Sequence, residues 1–143
     1  MSESEAGSRA RAVREMFGAI APRYDFLNRL LSLGIDQQWR RFVARRLADL
    51  EEPLVLDVAC GTADLSLAVR ERNPGARVVG LDFSEEMLRL AAAKVARRGL
   101  ASSVVFVAGS AEELPFADNL FAGLTIAFGI RNVIDRPRAL AEF

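Results

Sequence analysis

The stretch LVLDVACGTADLS at residues 54–66 leaves this chain little freedom of fold. A short apolar run (Leu54, Val55, Leu56, Val58) carries one acid, Asp57. Small residues follow, Ala59, Cys60, Gly61, Thr62 and Ala63, and an amphipathic segment begins at Asp64. The pattern predicts a strand, a tight turn and a helix start. Such a turn aims backbone N–H groups and the positive end of a helix dipole into one small space. Its side chains must be small for a ligand to reach the backbone.

From Leu54 onward strands and helices alternate. Strands are expected at Leu54–Val58, Arg77–Asp82, Val104–Ala108 and 121–128, and helices at Asp64–Arg72, 85–98 and from near Pro137. The turn Asn73-Pro74-Gly75 stops the first of these helices. Ser84 is placed to cap the second, with Glu85 and Glu86 in its first turn and Gly99 at its end. This alternation predicts βαβ units, a parallel sheet and the α/β class.

Ahead of the sheet, residues 1–12 read as a disordered polar tail and 13–52 as a helical segment. Val13, Met16, Phe17 and Ile20 share one helical face, as do Phe26, Leu27, Leu30 and Leu31. A third helix over 37–50 is expected to bury Trp39, Phe42, Val43 and Leu47. Residues 53–143 then carry the core with its first four strands. The chain stops inside its last helix, at Phe143. Either it is truncated at the C-terminus, or something else covers the open edge of the sheet; a homodimer is one such cover.

Totals narrow the chemistry. With Lys+Arg 19 and Asp+Glu 19, no net field favours nucleic acid. One Cys precludes a disulfide within the chain and suits a reducing, cytoplasmic setting. No His is present, which leaves almost no room for a zinc centre or a His-based triad. No apolar run approaches the roughly 20 residues needed to span a bilayer, and the N-terminus lacks the apolar core of a secretory signal.

Asp57, at the end of the first strand, can brace the turn or reach a ligand's amine. Asp82 ends the second strand about 20 residues beyond Gly61, the placing of an acid that binds ribose hydroxyls. Its alternative role is to cap the next helix. The dinucleotide pattern GxGxxG is absent, since Ala59, Gly61 and Asp64 stand at its glycine positions. A pyrophosphate needs that close approach and a nucleoside without phosphates does not, which favours S-adenosylmethionine over NAD. Gly109-Ser110-Ala111 and the residues up to Phe116 suit a surface against adenine, or a plain polar loop. Arg131 and Asn132, just beyond the fourth strand, can clamp an oxyanion or carbonyl; pairing of Arg131 with a surface acid is the alternative.

The segments DVACGTADLS, VVGLDFSEEML, GSAEELPF and AFGIRNVIDRPRALAEF together resemble the menaquinone/ubiquinone-biosynthesis C-methyltransferases, of the class I Rossmann-like type. FGAIAPRYDFLNRLLSLGIDQQWRR is similar to the family's N-terminal helical segment. The resemblance covers residues 13–143. It implies methyl transfer from S-adenosylmethionine to a ring carbon of a prenylated quinol. Carried over by position, Thr62, Asp82, Ser110 and Ala111 contact the cofactor, with Asp57 and Gly61 in the same pocket. Tyr24, Asn28, Arg131 and Asn132 face the quinol, with Arg131, Asn132 and Tyr24 as the catalytic group. Ala63 stands where such turns often have Gly, Asp36 where many relatives have His, and Ala127 where some have Ser. The family's sheet normally has seven strands. The membrane-soluble tail of such a substrate suggests that the helices within 13–31 rest on an anionic bilayer; their apolar faces equally suit a core. The alternatives are a class I methyltransferase with another small acceptor, or an inactive cofactor-binding module.

Overall fold

The computed structural model describes Met16 and residues 35–143. The expected tail, the expected helices within 13–31, and Tyr24 and Asn28 with them, lie outside the described residues. In chain order the elements are α1 (Ile35–Arg46), β1 (Leu54–Val58), α2 (Asp64–Arg72), β2 (Arg77–Asp82), α3 (Glu85–Arg97), β3 (Val104–Ala108), β4 (Gly123–Ile126), a 3-10 turn (Ile130–Asn132) and α4 (Arg136–Glu142). The four strands form one parallel sheet in the order β3-β2-β1-β4. The chain therefore moves outward from β1 on one side and then returns to β1's other side. The order reverses between β1 and β4, and open α/β sheets bind ligands at the strand carboxyl ends at such a point.

Successive strand residues face opposite sides of the sheet. Val55, Val78 and Val104 meet one layer of helix side chains, Ala44 of α1, Leu65, Leu67 and Val69 of α2, and Ala91 and Val95 of α3. Leu56, Val58 and Leu81 face the other way, under Ala111, Leu114, Phe116 and Phe121 from the segment that joins β3 to β4. Phe116 and Phe121 meet edge to face at 5.0 Å. Burying each such aliphatic side chain contributes about 2 kcal/mol relative to exposure.

The helix ends follow local chemistry. Ser84 Oγ accepts from the Met87 amide at the start of α3. At its other end Arg98 is the C-cap and Gly99 follows with φ +70°, so that Gly99 donates to Ala96 and Leu100 to Val95. α1 runs from Ile35 to Arg46 rather than over 37–50. Its last turn tightens to 3-10 geometry, and the Asn73 amide donates to the carbonyls of Leu47, Ala48 and Leu50.

Two expectations for α1 are corrected. Trp39 is 57% exposed and Phe42 46% exposed. The helical period puts Asp36, Arg40, Ala44 and Leu47 on the stripe facing the core, and turns Trp39 and Phe42 off it. These two rings meet each other at 6.1 Å, and the Arg46 guanidinium lies 5.1 Å from the Phe42 centroid. The fourth strand is also shorter than expected, Gly123–Ile126. Phe121 and Ala122 lead into it, and Phe128 turns out of it with φ +62°.

Candidate functional site

Most of the residues singled out from the sequence converge at the carboxyl ends of the strands. The turn after β1 is strongly bent: Ala59, Gly61 and Ala63 have φ of +53°, +54° and +68°. A left-handed conformation costs an L-residue about 1 kcal/mol, so this turn needs support. β2 supplies it. Cys60 donates its amide to the Leu81 carbonyl at 3.0 Å, and Gly61 donates its own to Asp82 Oδ2 at 2.8 Å. Asp82 Oδ1 accepts from the Ser84 amide at 2.9 Å. The one carboxylate thus ties the turn to β2 and shapes the entry to α3. Burial raises its pKa, partly offset by these backbone donors.

Asp57 is 1% exposed and lies deeper. The register pairs it with Thr125 across β1 and β4, so both side chains share one face of the sheet. Ser66 donates its hydroxyl to Oδ2 at 2.6 Å and Thr125 donates to Oδ1 at 3.1 Å. β1, α2 and β4 are joined there by one carboxyl group. Burial pushes its pKa up to about 6, against the lowering effect of both hydroxyls. Cys60 is buried beside the two acids, and burial with their charges raises its pKa well above the ordinary 9.0, so the thiol stays protonated.

Thr62 is buried, and its Oγ1 accepts from Lys94 Nζ of α3 at 3.0 Å. Lys94 also donates to Asp64 Oδ1 at 2.8 Å. Arg40 of α1 lies 3.5 Å from Asp64 Oδ2 and pairs with Asp36. Asp36 thus belongs to a run of alternating charges that reaches the turn. The Ala63 methyl is buried in the helix-side core.

Ser110 and Ala111 follow β3, whose last residue Ala108 pairs with Asp82; Gly109 donates to the Asp82 carbonyl at 3.0 Å. Ser110 Oγ accepts from the Glu112 amide, which shapes its own loop. Arg131 and Asn132 lie on the 3-10 turn beyond β4, with Arg131 exposed. Arg136 donates to the carbonyls of Ile130 and Arg131 and fixes that turn. Glu112 Oε1 accepts the amides of Ile134 and Asp135, which links the two loops. Ser66, Thr125, Lys94, Arg40 and Glu112 were not legible as site residues. Lys94 alone carried a signal, as the sole Lys among many Arg.

A parallel sheet of order 3-2-1-4, a bent small-residue turn at its reversal and an acid ending β2 define a Rossmann-like domain of the class I methyltransferase type. The chain belongs to the ubiE/COQ5 methyltransferase family, whose sequence model matches residues 4–143. Over 131 residues it is 47% identical to the ubiquinone/menaquinone biosynthesis C-methyltransferase UbiE of Geotalea daltonii, covering 91% of this chain and 56% of that one. Over 127 residues it is 50% identical to the demethylmenaquinone methyltransferase of Thermus thermophilus, covering 89% of this chain and 57% of that one. The chain thus spans a little over half the length of these curated relatives. The crystal structure of a SAM dependent methyltransferase from Aquifex aeolicus matches with a TM-score of 0.64 at 24% identity, over 72% of this chain and 55% of that one, a likeness of fold.

Proposed function

We propose that the site at the carboxyl ends of β1, β2 and β3 binds S-adenosylmethionine, and that the whole protein methylates a ring carbon of a prenylated quinol. Demethylmenaquinol, or the equivalent ubiquinol precursor, is the substrate of this reading. The residues fit the cofactor. Asp82 accepts the Gly61 amide at Oδ2 and the Ser84 amide at Oδ1, and a carboxylate oxygen has lone pairs for a further donor such as a ribose hydroxyl. The N-cap of α2 is Ala63, which makes no side-chain capping bond, and the helix start at Asp64 suits the carboxylate of the methionine moiety. Gly109, Ser110 and Ala111 offer small side chains beside the adenine.

When bound, the cofactor supplies a methyl group already activated on a sulfonium. What remains for the protein is to position the acceptor ring in line with that methyl and to stabilise the charge that develops on the quinol oxygen. Arg131 and Asn132, on the turn beyond β4, take that second task, with Tyr24 and Asn28 facing the ring. Asp57 serves the site from below by tying β1, α2 and β4 together. The location in this reading is the cytoplasm, with residues 13–31 in contact with the inner face of the membrane, where the prenyl tail resides. Among the described residues no helix is long and apolar enough to cross a membrane. The edge strand β4 is where a second copy, as in a homodimer, or the rest of a longer chain would pair.

The observation that carries the reading is the 2.8 Å bond from the Gly61 amide to Asp82, which joins the small-residue turn to the acid of the neighbouring strand. Calorimetry with S-adenosylmethionine and turnover of demethylmenaquinol by the whole protein test it. Asp82→Ala is expected to weaken cofactor binding at least about tenfold. Arg131→Ala is expected to lower turnover about 100-fold while sparing cofactor affinity. Unchanged binding in the first variant, or undiminished turnover in the second, removes the corresponding role.

A further inference from the structure

We infer that Lys94 is a positioning residue for the cofactor turn, acting through Thr62 and Asp64, and that Arg40 extends the same support to α1. The inference rests on the reading that this turn binds S-adenosylmethionine, and adds to it a group that need not touch the ligand. The turn carries two non-glycine residues in left-handed conformation, Ala59 and Ala63, and β2 supports its near side, at Cys60 and Gly61. The far side, Thr62 and the first residue of α2, receives the Lys94 ammonium from α3, at 3.0 Å to Thr62 Oγ1 and 2.8 Å to Asp64 Oδ1. The Lys94 side chain is 18% exposed and that of Arg40 12% exposed, so these contacts are shielded from bulk water.

The charges alternate: Asp36, Arg40, Asp64, Lys94. Among the described residues these four charges sum to zero. A compact ammonium has donors enough to bind a hydroxyl and a carboxylate at once, where a planar guanidinium binds in a fixed fork. In a chain whose other basic residues are all Arg, the one Lys stands at this position. Because Asp64 opens α2, a shift of Lys94 or Arg40 moves the helix start that faces the ligand.

The test is calorimetry with S-adenosylmethionine on the full chain, alongside denaturant unfolding without ligand, for the native protein, Lys94→Met, Lys94→Arg and Arg40→Met. Lys94→Met is expected to raise the cofactor Kd about tenfold or more under conditions where it is fully folded. Lys94→Arg keeps the charge and the reach to Asp64; it should restore unfolding stability but recover affinity only in part. Arg40→Met, which reaches the turn only through Asp64, should weaken binding by about threefold. A Kd within twofold of native in folded Lys94→Met overturns the inference. If that variant does not fold, Lys94→Gln, which keeps an amide donor without the charge, carries the test with the same threshold. Native binding is measured first: none at all defeats the functional reading along with this one, whereas native binding with undiminished affinity in the variants defeats this one alone.

Discussion

Asp57 contributes to the pH behaviour of the core, beside Asp82. Its folded pKa of about 6 exceeds the ordinary 3.8, so the folded state binds the proton more tightly than the unfolded chain does. The group favours folding most below the unfolded value, and that contribution is lost as pH rises from about 4 to about 6. A shift of this size corresponds to about 3 kcal/mol. Asp57→Asn cannot ionise, so its stability relative to the native chain should rise through that window and level off above it. Parallel unfolding curves across pH 4 to 7 check this; a difference that does not vary with pH rules it out. The same residue shows what one position can and cannot disclose. An acid ending an apolar strand marked a site, but its partners Ser66 and Thr125 are 9 and 68 residues away, and only the fold brings them to it. Trp39 and Phe42 teach the converse. Their hydrophobicity suggested burial, yet the helix turns Asp36 and Ala44 inward in their place.

At the scale of elements, the informative helix end is that of α1. Asn73, from the end of α2, donates to the carbonyls of Leu47, Ala48 and Leu50 in the turn that follows α1, while its Oδ1 accepts from Gly75. The Asn-Pro-Gly sequence announced a turn correctly and concealed this second duty, which depends on α1 packing beside α2. Asn73→Ala should destabilise the chain by about 1 kcal/mol, since it removes the donor to three partly buried carbonyls. Denaturant unfolding measures it; a loss under about 0.5 kcal/mol would show that water replaces the amide. The β3–β4 connection behaves likewise. Its sequence reads as a polar loop, but Glu112 and Glu142 accept amides across it and join it to the segment after β4.

Over the whole molecule, the decisive contact lies where the strand order reverses. A Cβ built on Gly129 would sit 2.3 Å from the Ala59 Cβ, while its next neighbours are at 3.5 and 3.7 Å. The loop leaving β4 therefore closes onto the turn leaving β1 with no space for one methyl group. Gly129→Ala should destabilise by about 2 kcal/mol through overpacking. Ala59→Gly in the same chain removes the clash and also relieves the φ of +53° at residue 59, so the double variant should recover most of the loss. Failure of that rescue in unfolding measurements would place the strain elsewhere. By itself the sequence determined the element order, the parallel sheet and the residues that meet at its carboxyl end, because periodicity, turn chemistry and helix signals are local and survive in one dimension. The tertiary structure alone decided which hydroxyls hold Asp57, which cation supports the turn and which rings stay in water. Those depend on register and on helix packing, which bring together residues that no short stretch of chain contains.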